Sequence, residues 1–512
     1  MRPGKVMIRM AAVDPNQVKA RTYGNWRRPR SAGIGGLGTL GSVGLLVGLI
    51  AVVFAMMIGG LDAALIVLAI VALVLVAMVH RDAHGRNVID RCAARVGWWL
   101  ARSRGSHLYR SGPLGRSLWG THQLPGILAP TRLSEHQDAY GRRFALLYTP
   151  RTATYSIVIG TEPDGAALVD MDQVDRWVAR WGLWLANLGD EPGIAGASVT
   201  VETAPDTGTR LEREVTGSID PSAPEFARQV LSEVVATYPA GSSTVRAYVS
   251  ITFNAALRAG AKRLSADEMG RELAARLPGL TGDLQGTGAG SSRPLSAQQV
   301  CELVRVAYDP ACGPVVDQAH ADGQAAELTW SECGPASAEA RWDSYQHDSA
   351  YSCTWTMSQA PRGHVRSDVL TRLLAPHGDV DRKRVTLLYR PVDPARAAAL
   401  VEADLSAAQF VAGSEKKPAA RSIASVKQAA ASAREEAAGA GLVQFGALVT
   451  ATVGDASRKA AARAAVENLS AAARVRLRPA YGSQDSAFAA CLPLGLVLPK
   501  HSSIPTEVRE KL

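Results

Sequence analysis

The sequence predicts a membrane helical hairpin followed by α+β soluble domains. Three observations carry this. Two apolar runs, Leu40–Gly59 and Leu61–Val79, stand in tandem, and Asp62 is the only charged residue between Ser31 and Val79. As helices, runs of this length rise about 28–30 Å, the hydrocarbon thickness of a bilayer. Both flanks are strongly basic. Beyond them, short strand-like and helix-like segments alternate to the end of the chain.

The flanks set the expected orientation. Residues 1–30 carry eight Lys/Arg, among them Arg27, Arg28 and Arg30, against the single acid Asp14. Residues 80–120 carry eight Arg, including Arg81, Arg86, Arg91 and Arg95, against Asp82 and Asp90. Under the positive-inside rule both flanks stay cytoplasmic, and the turn at Gly59, Gly60 and Asp62 reaches the far side of a cell (inner) membrane. In that turn water can solvate Asp62. A cleaved signal peptide does not fit, because the apolar region starts late and is too long. Tyr23, Trp26 and Pro29 beside the first span read as an interfacial anchor, the other reading being an arm that docks on a partner.

The net charge of +9 resembles a nucleic-acid signal, but its placement argues otherwise. Residues 121–512 hold three more acids than bases, so the excess lies beside the bilayer, where it attracts anionic membrane lipid. Direct nucleic-acid binding is therefore not expected. The six cysteines, at 92, 301, 312, 333, 353 and 491, form no Cys-x-x-Cys pair, and a cytoplasmic body keeps them reduced.

After the tail (1–30) and the hairpin (31–80), residues 81–130 read as a juxtamembrane helix and linker. Ile89, Cys92, Val96 and Trp99 fall at helical spacing, with Arg86, Arg91, Arg95 and Arg102 on other faces, as in a helix lying in the headgroup layer. Residues 131–260 form the first α+β domain. Its strands are Phe144–Tyr148, Tyr155–Ile159, Ala197–Glu202 and Val245–Phe253, and its helices Met171–Leu188 and Pro221–Tyr238. Trp177, Trp181 and Trp184 make a core stripe. Residues 261–295 hold a helix and a Gly-rich linker, Gly286-Thr287-Gly288-Ala289-Gly290, which no Gly-Lys-Ser/Thr follows. The second α+β region, 296–512, has strands at Ala326–Cys333, Glu339–Trp342, Tyr351–Met357, Val385–Tyr389, Gly441–Val453 and Val475–Pro479, and helices at Ser296–Tyr308, Ser367–Leu374, Pro394–Phe410 and Asp455–Ala473. Ala412–Gly441, rich in Ala, Ser, Lys, Arg and Glu, reads as a solvated helix or helical linker. The alternation points to ferredoxin-like layers.

The sequence shows no phosphate-loop, His-Glu-x-x-His or Gly-x-Ser-x-Gly motif. His80 and His84 have metal spacing on one helix face but no third ligand, and Asp170 and Asp172 fit a helix start. No catalytic residue, cofactor or metal is assigned, and the chain is expected not to be an enzyme.

The segment Tyr23-Gly24-Asn25-Trp26-Arg27-Arg28-Pro29-Arg30-Ser31-Ala32-Gly33, the hairpin, and Tyr109-Arg110-Ser111-Gly112-Pro113-Leu114 resemble a family of actinobacterial membrane proteins of integrative conjugative elements. The stretch from Phe445-Gly446-Ala447 to Phe488-Ala489-Ala490-Cys491-Leu492-Pro493 is similar to the non-catalytic N-terminal half of the type IV secretion ATPase. The resemblance implies an oligomeric membrane scaffold of a conjugation or type IV-like secretion apparatus. Such a scaffold contacts other subunits and recruits a separate motor ATPase, with Phe488, Leu492 and Pro493 as candidate partner contacts. Two alternatives stand beside it: a type VII secretion subunit of the EccE kind, and a membrane-anchored enzyme.

Overall fold

The computed structural model describes residues 38–502 except 81, 83, 85, 114, 116–120, 164, 166–167, 238–241, 259, 362 and 415–418, together with Tyr23, Gly24 and Trp26. Helix α1 (Gly38–Val79) holds both apolar runs, and its backbone leaves helical geometry at Gly60 (φ 72°, ψ −164°). Glycine reaches that region without a Cβ clash. A Cβ added at Gly48 would lie 2.7 Å from Val71. In an unbroken helix those positions would stand about 35 Å apart. Val43–Ala77 is long and apolar enough to cross a membrane, and its large side chains are exposed. Helix α2 (Val88–Ser103) and strand β1 (Leu108–Arg110) follow.

The first half of the body contains β2 (Arg132–Gln137), β3 (Arg143–Thr149), β4 (Thr154–Glu162), α3 (Met171–Asp190), β5 (Ile194–Pro205), α4 (Thr209–Ser218), α5 (Glu225–Thr237), β6 (Ser243–Asn254), α6 (Ala266–Gly282), β7 (Ser291–Pro294), α7 (Ala297–Tyr308) and α8 (Gly313–Ala321). The second half contains β8 (Ser337–Ala340), β9 (Tyr345–His347), β10 (Ala350–Gln359), α9 (Thr371–Leu374), β11 (Arg382–Pro391), α10 (Pro394–Ser414), α11 (Ala420–Ala437), β12 (Val443–Val453), α12 (Lys459–Ala472), β13 (Arg476–Pro479), α13 (Gln484–Cys491) and α14 (Leu498–His501).

Among the described residues thirteen strands join one sheet, ordered β1-β8-β9-β10-β12-β11-β5-β6-β4-β3-β2, with β13 on β10 and β7 on β4. Every pairing between named strands is antiparallel. The chain runs the same course twice. In β4-α3-β5-α4-α5-β6-α6-β7 and again in β10-α9-β11-α10-α11-β12-α12-β13, the four strands lie side by side in the order fourth, first, third, second. Strands β5 and β11 pair at the seam, from Lys383 opposite Thr203 to Tyr389 opposite Ala197.

Helices α3 and α6 cover one face of the first half, packing Trp184, Leu188, Met269, Leu273 and Leu277 on Phe144, Ile157, Ile251 and Phe253. Helices α9 and α12 pack Leu373, Ala462, Ala465 and Val466 on Trp355, Val385 and Val449. The opposite face is closed by α7, α13 and the chain after α13, which bring Val300, Val304, Tyr308, Phe488, Leu492 and Leu494 onto Ala145, Leu147, Val158 and Tyr345. Reciprocal capping boxes start α6 (Ser265 with Glu268) and α7 (Ser296 with Gln299).

Several expectations are revised. Asp220 accepts the Ser222 amide in a tight turn, so the helix expected from Pro221 begins at Glu225. Ala326–Cys333 is not a strand: Thr329 bonds back to Glu332 and folds it into a turn. The Gly-rich stretch is packed rather than a free linker. A Cβ at Gly288, where φ is +82°, would meet the Trp177 ring at 2.9 Å.

Candidate membrane-facing site

Helix α2 is amphipathic, but its apolar side does not face the body. Trp98 lies edge-on to Trp342, with centroids 5.5 Å apart, and Trp342 stacks on Tyr481 at 5.7 Å. The Arg95 guanidinium sits over Trp342 at 5.4 Å and that of Arg102 over Trp98 at 5.3 Å. The side of the helix that bears Arg95, Trp98 and Arg102 therefore touches protein. The opposite stripe is left open, with Ile89 45%, Val96 55% and Trp99 63% exposed and Cys92 exposed beside them. In a helix that belongs only to a globular core this order is reversed. The apolar surface of α1, the helix that precedes it, is also bare.

Between the two helices, Asp82 Oδ1 accepts the backbone amides of His84 and Arg86, both at 2.9 Å. The Arg86 amide is the main cause holding the Asp82 carboxyl below its ordinary value, against the opposing effect of burial. Helix α1 stops at Val79, so His80 and His84 do not share a helix face. Among the described residues no group of three metal-ligating side chains is found. Arg91 and Arg95 are exposed and Arg86 is half-buried. Gly59, Gly60 and Asp62 are exposed at the break in α1. Arg27, Arg28, Arg30 and Arg81 lie outside the described residues. Asp170 occupies the position before α3 without a side-chain cap bond, and Asp172 lies in its first turn.

Tyr23 and Trp26, expected as interfacial anchors, instead dock on the body. The Tyr23 amide and carbonyl exchange 2.8 Å bonds with Val365, and the Tyr23 hydroxyl donates to Asp175 at 2.8 Å. Trp26 meets Phe445 edge-on at 6.3 Å. A Cβ on Gly24 would lie 2.9 Å from the Gly363 carbonyl oxygen. Replacing Gly24 with valine is therefore expected to release this arm, read as faster amide hydrogen exchange at Val365.

Phe488, Leu492 and Pro493 also sit elsewhere than expected. All three are buried and offer a partner no surface. Phe488 packs at 4.7–5.3 Å on the rings of Tyr308, Tyr345 and His347, with the Arg384 guanidinium at 5.6 Å. The sheet beneath this segment presents hydroxyls. Ser250 donates to the Pro493 carbonyl at 2.7 Å, Thr252 to Gly495 at 2.6 Å and Thr386 to Cys491 at 2.9 Å. Thr200 meets Thr386 across the seam at 3.0 Å, and Thr354 meets Thr450 at 2.9 Å.

His347 and Glu202 also lie in this layer. Burial pushes the His347 imidazole down to about 4; its Nδ1 is 2.5 Å from the Tyr308 carbonyl and its Nε2 2.8 Å from the Ser352 hydroxyl. The unfolded chain takes up that proton near pH 6.5, whereas the folded chain resists it until about 4. Stability should therefore fall as pH drops across that window, by about 1.4 kcal/mol per unit, and His347→Gln should flatten the slope in urea midpoints measured from pH 7 to 4. Glu202 pairs with both Arg382 and Arg384 across the seam.

A family model described as a domain of unknown function (DUF8461) matches residues 30–90, the stretch of α1 and the start of α2. No curated protein matches the chain.

Proposed function

We propose that this chain is a non-enzymatic membrane scaffold. The two parts of α1 span the bilayer as a hairpin with both termini cytoplasmic, and α2 rests its open stripe in an anionic headgroup layer. The body is two ferredoxin-like units joined edge to edge, and it recruits a separate motor ATPase and sister subunits of a conjugation or type IV-like secretion apparatus. The observation that carries the membrane part is the outward apolar stripe of α2 together with the bare apolar surface of α1. The resemblance of the Tyr23–Gly33 and Phe445–Pro493 segments supports the choice of apparatus.

Topology is tested with Asp62→Cys and Phe410→Cys in intact cells treated with a membrane-impermeant maleimide. Labelling at 62, and at 410 only after lysis, is expected; labelling at 410 in intact cells overturns the topology. Affinity purification of the intact membrane complex is expected to bring down a separate ATPase. A complex recovered without one removes the recruiting role.

A further inference from the structure

A cavity of about 230 Å³ opens at the seam, between the sheet and the chain that follows α13. Strands β5, β6, β11 and β12 supply Gly196, Ser198, Thr252, Leu388 and Gly446, and Leu496, Val497, Leu498 and Pro499 close the far side. Arg390 and Gln444, bonded to each other, stand on its lining. Two details separate it from a packing flaw. A Cβ added at Gly446 meets nothing within 4 Å, so the sheet leaves space where most strand residues would fill it. Ser198 is 4% exposed, and its hydroxyl has no partner among the described residues. Its neighbours on this layer, Ser250, Thr252 and Thr386, all donate to the overlying chain. The Ser198 hydroxyl is therefore free to pair with a ligand, and a mainly apolar cavity with a few placed polar groups selects a ligand of the same design.

We propose that this cavity is a binding site for a phenol-like ligand: a single apolar ring whose one polar tip pairs with the Ser198 hydroxyl. The volume lies below the roughly 300–1,000 Å³ of pockets for larger ligands, which limits the occupant to about one ring. The inference does not depend on the membrane or secretion reading, because it uses only the body.

The test is saturation-transfer NMR on the full chain in lipid nanodiscs, with p-cresol and toluene as probes and empty nanodiscs as background. The wild-type chain is expected to give p-cresol signal above background. Gly446→Leu should lower it at least tenfold by filling the space. Ser198→Ala should weaken p-cresol about three- to tenfold and leave toluene unchanged, as expected for one hydrogen bond. Equal p-cresol signal in wild type and Gly446→Leu overturns the site. Should Gly446→Leu fail to fold, Ser198→Ala decides alone: equal loss of both probes, or of neither, overturns the assignment.

Discussion

Replacing Glu202 with alanine is expected to destabilise the body by about 3–5 kcal/mol, the cost of leaving buried charge without its partner. Glu202 pairs with both Arg382 and Arg384. Arg384 is 1% exposed and bonds Glu202 through Nε, and its two terminal nitrogens have no hydrogen-bond partner among the described residues. Burial works against ionising Glu202, but the two guanidiniums outweigh it and hold the carboxyl at about 2. The pair thus adds stability above the ordinary carboxylate range, near 4.5, and loses it as pH falls toward 2. Chemical denaturation of the detergent-solubilised chain, followed by tryptophan fluorescence, measures the loss. The triple variant Glu202→Leu with Arg382→Met and Arg384→Met should regain most of it, because three apolar side chains leave neither arginine stranded. If the single variant costs under about 1 kcal/mol, the pair is not the main restraint on the seam.

Phe488→Ala should cost about 3–5 kcal/mol by the same assay, the usual range for emptying a buried aromatic site. The ring is fully buried among Tyr308, Tyr345 and His347, so its removal leaves a cavity bounded by three large side chains that cannot all collapse inward. Phe488→Leu should recover more than half of the loss. A surface contact for a partner would behave differently, with the alanine variant folding as well as the wild type and failing only in assembly.

Local pattern revealed the parts of the fold that local physics decides. The α1 runs, the Trp181–Trp184 face of α3 and the alternation of β6 were all readable, since each depends on neighbours within a turn or two. The sequence Val249-Ser250-Ile251-Thr252-Phe253 shows where reading stopped. Its alternation reads as an apolar face inward and a hydroxyl face toward water. Yet Ser250 and Thr252 are buried under a chain that arrives more than two hundred residues later. Sequence spacing holds no trace of that cover, nor of Glu202 meeting Arg382 and Arg384 from about one hundred and eighty residues away. The same blindness made Phe488-to-Pro493 look like a free motif. For α2 the stripe was legible, but which side would touch protein was not, because that depends on Trp342 and Tyr481 far along the chain.

The two halves meet through β5 and β11, and what happens there has a mechanical side. Sliding one strand past the other by a single residue would turn Thr200 away from Thr386 and send Glu202 to the wrong surface. Sliding by two would keep the surfaces but take Arg384 from its place directly opposite Glu202. The junction is therefore keyed: the Thr200–Thr386 contact and the pairing of Glu202 with two arginines are met together in a single register.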